Sequence, residues 1–142
     1  MTQSTDAALG SLAKCSGYSA TEFPLEGRLA EAQALLRDDL GAVERLLRES
    51  AAQGPGPSSD AARHLVSLGG KRVRPMALLL SSACFGPVPV ASRHIAVCVE
   101  LIHSATLLHD DVIDEGTERR GQPAARIVWG NAVSVLGGDL LL

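Results

Sequence analysis

Apolar positions Leu29, Ala32, Leu36, Leu40, Val43 and Leu47 step by three and four, predicting one amphipathic helix from Pro24 to Ser50. Asp38-Asp39 within it has no third carboxylate at helical spacing and no following arginine pair, so it reads as a solvated face. Gly54-Pro55-Gly56-Pro57-Ser58-Ser59 breaks the pattern. Ser59 or Asp60 is placed to cap a short helix ending at Gly69-Gly70. Pro75 suits the first turn of the next helix, MALLLSSACF, which stops before Gly86-Pro87. A long helix follows from about Val90 to Glu115. A loop carries GTERRGQ, and Pro123 opens a final helix reaching Leu142. Residues 1–22 are rich in Ser, Thr, Ala and Gly without periodicity and read as a loose tail. No β-hairpin signal or internal repeat stands out. The pattern predicts an all-α protein.

Composition supports helix over sheet. Aromatic residues are 3% of the 142, whereas Leu and Ala abound. A net charge of -3 supplies no basic field for nucleic acid. Cys15, Cys84 and Cys98 are odd in number and lack CxxC spacing. They read as reduced thiols of a cytoplasmic protein, with Cys84 and Cys98 in the core. No secretory signal is visible, and no apolar run approaches the ~20 residues that span a bilayer.

The chemistry concentrates in Asp110-Asp111-Val112-Ile113-Asp114, a DDxxD cluster inside an apolar helical run, with Arg119-Arg120-Gly121 just beyond. On a helical wheel His103, Leu107, Asp110 and Asp114 fall within about 40° of one another, and Asp111 lies about 60° further round. The remaining positions, Ile95, Val99, Leu101, Ile102, Leu108, Val112 and Ile113, leave this helix apolar on nearly every side, which predicts burial. Buried acids need counter-charge, and no lysine or arginine lies between Glu100 and Asp114. A metal is the natural supplier, and hard oxygen ligands suit magnesium, which bridges carboxylate to substrate phosphate. The bland alternative is an exposed helix end, where acids oppose the macrodipole. Guanidinium forks suit phosphate directly. Carboxylates, metal and arginines together imply a diphosphate substrate. His109 points to the opposite side of the wheel and reads as a satisfied core histidine. A second cationic cluster, GGKRVRP at 69–75, sits at a helix junction, where glycines and a helix N-terminus favour an anion.

HDDVIDEGTERRGQP at 109–123, GGKRVRP at 69–75 and WGNAVSVLGGDLLL at 129–142 together resemble the trans-isoprenyl diphosphate synthases, or polyprenyl synthetases. The resemblance runs from about Leu29 to Leu142. It implies a helical bundle of the isoprenoid synthase type, with residues 23–142 as its N-terminal half. It implies head-to-tail condensation of isopentenyl diphosphate with an allylic diphosphate. Asp110, Asp111 and Asp114 would bind magnesium ions that grip the allylic diphosphate, with Arg119 as a further allylic contact. Lys71, Arg74, His103 and Arg120 would hold isopentenyl diphosphate. Arg72 is left without an assigned contact, and Gln122 and Arg126 are left as structural or surface residues. Ala105 and Thr106, with Ser104 beside them, would lie along the channel for the growing chain. None is bulky, so a product longer than farnesyl is expected, geranylgeranyl or beyond, and Ala105→Phe should shorten it.

Synthases of this family are longer and carry a second DDxxD with further lysines; here only Asp139 follows the loop, in a GGD triplet. Three readings follow: a half-synthase that works with a partner supplying the second motif, a fragment of a longer polypeptide, or a non-catalytic regulatory or binding subunit of a full-length synthase. The intact ligand set argues against decay. A terpene cyclase shares the all-α fold and a DDxxD, but GGKRVRP and the RRG loop argue against it. Dimerisation through apolar helix faces, as homo-oligomer or heteromer, is expected in each case.

Overall fold

Leu36 interrupts what the periodicity presents as one helix. In the computed structural model, which describes residues 25–142, α1 spans Leu25–Leu35 and α2 spans Arg37–Ala51. Leu36 lies between them in the bridge region (φ -99°, ψ 13°), its side chain 1% exposed. Asp38 and Asp39 then occupy the first turn of α2, where carboxylates complement the helix dipole. The chain divides into two compact units after Leu35. The tail expected for residues 1–22 lies outside the described residues, as does Cys15.

The second unit is built from helices around one long member. α3 (Pro57–Ser67) and α4 (Val73–Ala83) precede α5 (Val90–Ile113), which at 24 residues is about 36 Å long. A hairpin of β1 (Glu118–Arg119) and β2 (Gln122–Pro123) follows, then α6 (Ala125–Trp129) and α7 (Asn131–Leu141). α5 packs against α2, α4 and α7, and α7 also lies on α3. Val43, Leu47 and Ala51 of α2, Ala61 and Leu65 of α3, Leu79 of α4 and Ala105 and Leu108 of α5 meet in the core. Burying a leucine contributes about 1.5–3 kcal/mol, so Leu36, Leu47, Leu79 and Leu108 are principal anchors. No helix among the described residues is long and apolar enough to cross a membrane.

Several local expectations are corrected. Neither Ser59 nor Asp60 caps α3; Gly56 (φ +90°) precedes a Pro57 at the first turn, Ser59 Oγ donates to the Ala51 carbonyl, and Asp60 pairs with Arg63. Asp39 is not on a solvated face: Arg93 Nε donates to it at 2.6 Å and joins α5 to α2. α5 is not covered all round, because Ile95, Ile102 and Ile113 share one stripe and are more than half exposed. Cys98 falls beside that stripe and is exposed. Cys84 is exposed too, just past the end of α4, where its thiol donates to the Leu80 carbonyl. The terminal helix expected from Pro123 onward begins only at Ala125 and is cut in two by Gly130 (φ +84°).

α7 approaches its neighbours through small residues. Ser134, Gly137, Gly138 and Leu141 are buried at i, i+3, i+4 and i+7. A Cβ at Gly137 would stand 3.0 Å from the Ser58 carbonyl oxygen. One at Gly138 would overlap the ring of His109. Ser134 Oγ donates to the Leu108 carbonyl at 3.0 Å, which fixes α7 directly behind the aspartate-bearing end of α5.

Candidate active site

α5 ends in the three aspartates, and they separate into two kinds. Asp111 is 1% exposed, whereas Asp110 and Asp114 are exposed and stand one turn apart. The buried carboxylate is met by Arg119, whose Nε donates to Oδ1 at 3.1 Å and whose terminal nitrogen forms a second, shorter bond to the same oxygen. Counter-charge for Asp111 thus comes from Arg119 of the hairpin. Asp110 and Asp114 add to the negative field around Arg119, and the Asp111 hydrogen bond is the main cause that raises its pKa.

The turn that delivers Arg119 is tightly specified. Glu115 has φ +53°, and the Gly116 N–H donates to the Asp111 carbonyl at 2.9 Å. A Cβ at Gly116 would lie 3.0 Å from Asp111 Oδ1, so glycine lets the chain fold over the carboxylate. Glu118 then pairs with Pro123, and Arg119 with Gln122. Arg120 and Gly121 both have positive φ, as a two-residue primed hairpin turn requires. This hairpin went unpredicted; an X-Gly pair closing a four-residue reversal was its available signal. Arg126 donates to the Gly116 carbonyl and to Asn131, so it braces the turn. His64 of α3 braces the other side, its Nε2 2.9 Å from the Pro123 carbonyl and its ring edge-on to Trp129.

Basic side chains from three separate segments converge beside this carboxylate cluster. α3 runs out at Gly69 (φ +69°) and Gly70, and the Arg120 guanidinium lies against Gly70, about 3.0 Å from where a Cβ would be. His103, one α5 stripe below the aspartates, has its pKa lowered by burial and then by Arg74, Arg120 and Arg119, with Glu100 opposing. Burial, Arg72 and Arg119 likewise lower that of Arg120, again against Glu100. Lys71 and Arg74 are exposed on either side of the buried Arg72. Arg72 turns inward, where it pairs with Glu44 of α2 and, at 3.0 Å, with Glu100 of α5. Its role was not legible in a run of three basic residues.

The other expected positions are placed as follows. Ala105 is 1% exposed and part of the core, and Ser104 is buried beside it. Thr106 is exposed and donates to the His103 carbonyl at 2.7 Å. His109 faces α7, with Nε2 3.1 Å from the Val135 carbonyl and 3.3 Å from Asp139 Oδ1, a satisfied histidine. Among the described residues no three His, Cys, Asp or Glu side chains converge as a ready-made metal cage. Magnesium takes one or two carboxylates and completes its shell with substrate phosphate and water, so exposed Asp110 and Asp114 fit an ion shared with substrate.

Carboxylates clustered at the end of α5 and basic side chains beside them thus define the site of an all-α protein. The polyprenyl synthetase family model matches residues 57–142, and the chain belongs to that family. It is 44% identical over 115 residues to heptaprenyl diphosphate synthase component 2 of Geobacillus stearothermophilus, covering 80% of this chain and 36% of that protein. It is also 44% identical over 111 residues to nonaprenyl diphosphate synthase of Mycobacterium tuberculosis, covering 77% and 33%. Among solved structures, a decaprenyl diphosphate synthase from Rhodobacter capsulatus superposes with a TM-score of 0.74 at 41% identity, over 80% of this chain and 35% of that one. A polyprenyl synthase from Caulobacter crescentus, complexed with calcium and isoprenyl diphosphate, gives 0.75 at 38%, over 80% and 34%. The chain thus spans about a third of the length of these relatives.

Proposed function

We propose that this chain supplies the first aspartate motif and the isopentenyl diphosphate site of a prenyltransferase that makes a longer trans-polyprenyl diphosphate. The observation that carries this reading is the convergence of Arg74, His103, Arg119 and Arg120, from three segments, on one face beside Asp110 and Asp114. Relatives named for heptaprenyl, nonaprenyl and octaprenyl diphosphates support it, as does the calcium and isoprenyl diphosphate named in the Caulobacter complex.

In this reading Lys71, Arg74, His103 and Arg120 hold the diphosphate of isopentenyl diphosphate. His103, with its pKa lowered, is the neutral donor among cations. Asp110 and Asp114, with Asp111 behind them, are the ligands for magnesium carried in with the allylic diphosphate. Magnesium, when bound, supplies positive charge to the leaving diphosphate oxygens. Arg119 stands where it meets the same developing charge. The allylic carbon–oxygen bond breaks with its electron pair leaving on the diphosphate. The double bond of isopentenyl diphosphate forms the new carbon–carbon bond, and loss of a proton restores an alkene. No protein nucleophile is needed, so Cys84 and Cys98 have no part in it.

Two relatives are named component 2 of a heptaprenyl synthase, from Geobacillus stearothermophilus and Bacillus subtilis. Their names favour an assembly in which a partner chain completes the activity, and we place that assembly in the cytoplasm. Calorimetric titration with isopentenyl diphosphate tests the site itself. Binding that weakens at least about tenfold in Arg74→Ala is expected, a loss of 1.4 kcal/mol or more. Unchanged binding in that variant would remove the assignment.

A further inference from the structure

Of the basic residues at 69–75, where the loop enters α4, Arg72 alone is buried, at 8% exposed. Its guanidinium makes ion pairs with Glu44 of α2 and with Glu100 of α5, and a longer contact of 3.5 Å to the Val66 carbonyl at the end of α3. Glu100 is itself 3% exposed, so this is a desolvated pair whose members depend on each other. The backbone of Arg72 is left-handed (φ 47°, ψ 37°), a conformation that a residue with a Cβ holds only when its surroundings impose it. Its carbonyl accepts from the Met76 N–H at 3.0 Å, the first bond of α4. Arg72 therefore fixes both where α4 starts and which way the chain faces on entering it.

We propose that Arg72 is a positioning residue for diphosphate binding: clamped between Glu44 and Glu100, it holds Lys71 and Arg74 outward and in register with His103. The inference rests on reading the Lys71 and Arg74 cluster as a diphosphate site. The register follows from the clamp's anchors. Glu100 lies one turn before His103 on α5, so the loop is tied to the helix that carries the remaining site residues. Ordering a mobile segment on binding costs backbone freedom, and a backbone already fixed at Arg72, between Lys71 and Arg74, keeps that cost small. The clamp also neutralises Glu100, whose charge opposes the effect of the cations on both His103 and Arg120. Lysine at position 72 would keep one positive charge but lack the planar fork that engages two carboxylates together.

The test titrates inorganic pyrophosphate, with magnesium, into wild type, Arg72→Lys, Glu44→Gln and Arg74→Ala, with circular dichroism and urea unfolding to establish that each is folded. Arg72→Lys is expected to weaken binding about tenfold or more while remaining helical, because a misdirected loop presents Lys71 and Arg74 poorly. Glu44→Gln, which alters the clamp at its α2 end and meets the loop through Arg72, is expected to weaken it in the same direction, and it decides the matter if Arg72→Lys does not fold. A folded Arg72→Lys protein with wild-type affinity would overturn the proposal. So would tighter binding in Glu44→Gln, since that would make a released Arg72 a ligand in its own right. Wild-type protein that fails to bind pyrophosphate overturns this inference and the diphosphate reading together. Pyrophosphate binding that is lost in Arg74→Ala, without any prenyl transfer, defeats the assigned reaction and leaves the positioning role intact.

Discussion

Asp111 and Asp110 are adjacent in sequence and opposite in circumstance. One is sealed under Arg119, and the other faces solvent with Asp114. The motif itself was plain in the sequence; the division of labour was not, because it depends on a turn that returns Arg119 to the helix it left. His103 offers a clean probe of the cation cluster. With its pKa lowered, the folded protein binds fewer protons than the unfolded chain between the two values. Its contribution to stability is therefore full above the unfolded value and is lost as pH falls through the folded one. An NMR titration should find this imidazole below the ordinary histidine value of about 6.5. Arg74→Ala should move it back up, and a midpoint unaffected by that change would place Arg74 elsewhere. If the proposed channel passes these positions, Thr106 is the more accessible handle and Ala105 the buried one. Phenylalanine at buried Ala105 would overpack the core, typically costing about 1–3 kcal/mol, whereas Thr106 is exposed. Thr106→Phe is expected to shorten the prenyl product, read by chromatography of the dephosphorylated alcohols. Products of unaltered length from an active variant would take Thr106 out of the channel.

At the scale of elements, the long helix was the most legible, since an unbroken apolar run needs only its own periodicity to be recognised. Helices divided by a single residue were not. Leu36 has good helix propensity and stands in phase with its neighbours, yet it is the break between α1 and α2. Tertiary burial overrides local preference there. The hairpin was hidden for a different reason: two paired positions per strand are too few to show alternation. α7 is the element whose sequence meaning changes most. Its GGD triplet is a docking surface, with Gly137 against α3, Gly138 beneath His109 and Asp139 beside the same ring. Alanine at position 138 gains about 1 kcal/mol of helix propensity but must displace that ring. Gly138→Ala is therefore expected to destabilise the protein by about 1–2 kcal/mol in urea unfolding. In a His109→Ala background the same change should become neutral or stabilising. Additivity of the two substitutions would refute the packing account.

Across the whole molecule, α5 joins the two halves of the site. Its lower part pairs Glu100 with Arg72 at the entry to α4, and its last turn pairs Asp111 with the hairpin. Side chains distant in sequence thereby face one region, an arrangement that suits the two diphosphate substrates of the proposed reaction. The order of the motifs announced that region. The clamps that hold it, Arg72 with its two glutamates and His64 on the hairpin, were not readable, because each joins single residues far apart in the chain. The most direct test of the account is prenyl transfer from an allylic diphosphate to labelled isopentenyl diphosphate with magnesium, using the chain alone and co-expressed with a protein bearing a second aspartate motif. The account predicts a longer prenyl diphosphate in at least one of the two preparations, abolished by Asp110→Ala and by removal of magnesium. Absence of product from both preparations, or product that survives Asp110→Ala, would contradict it.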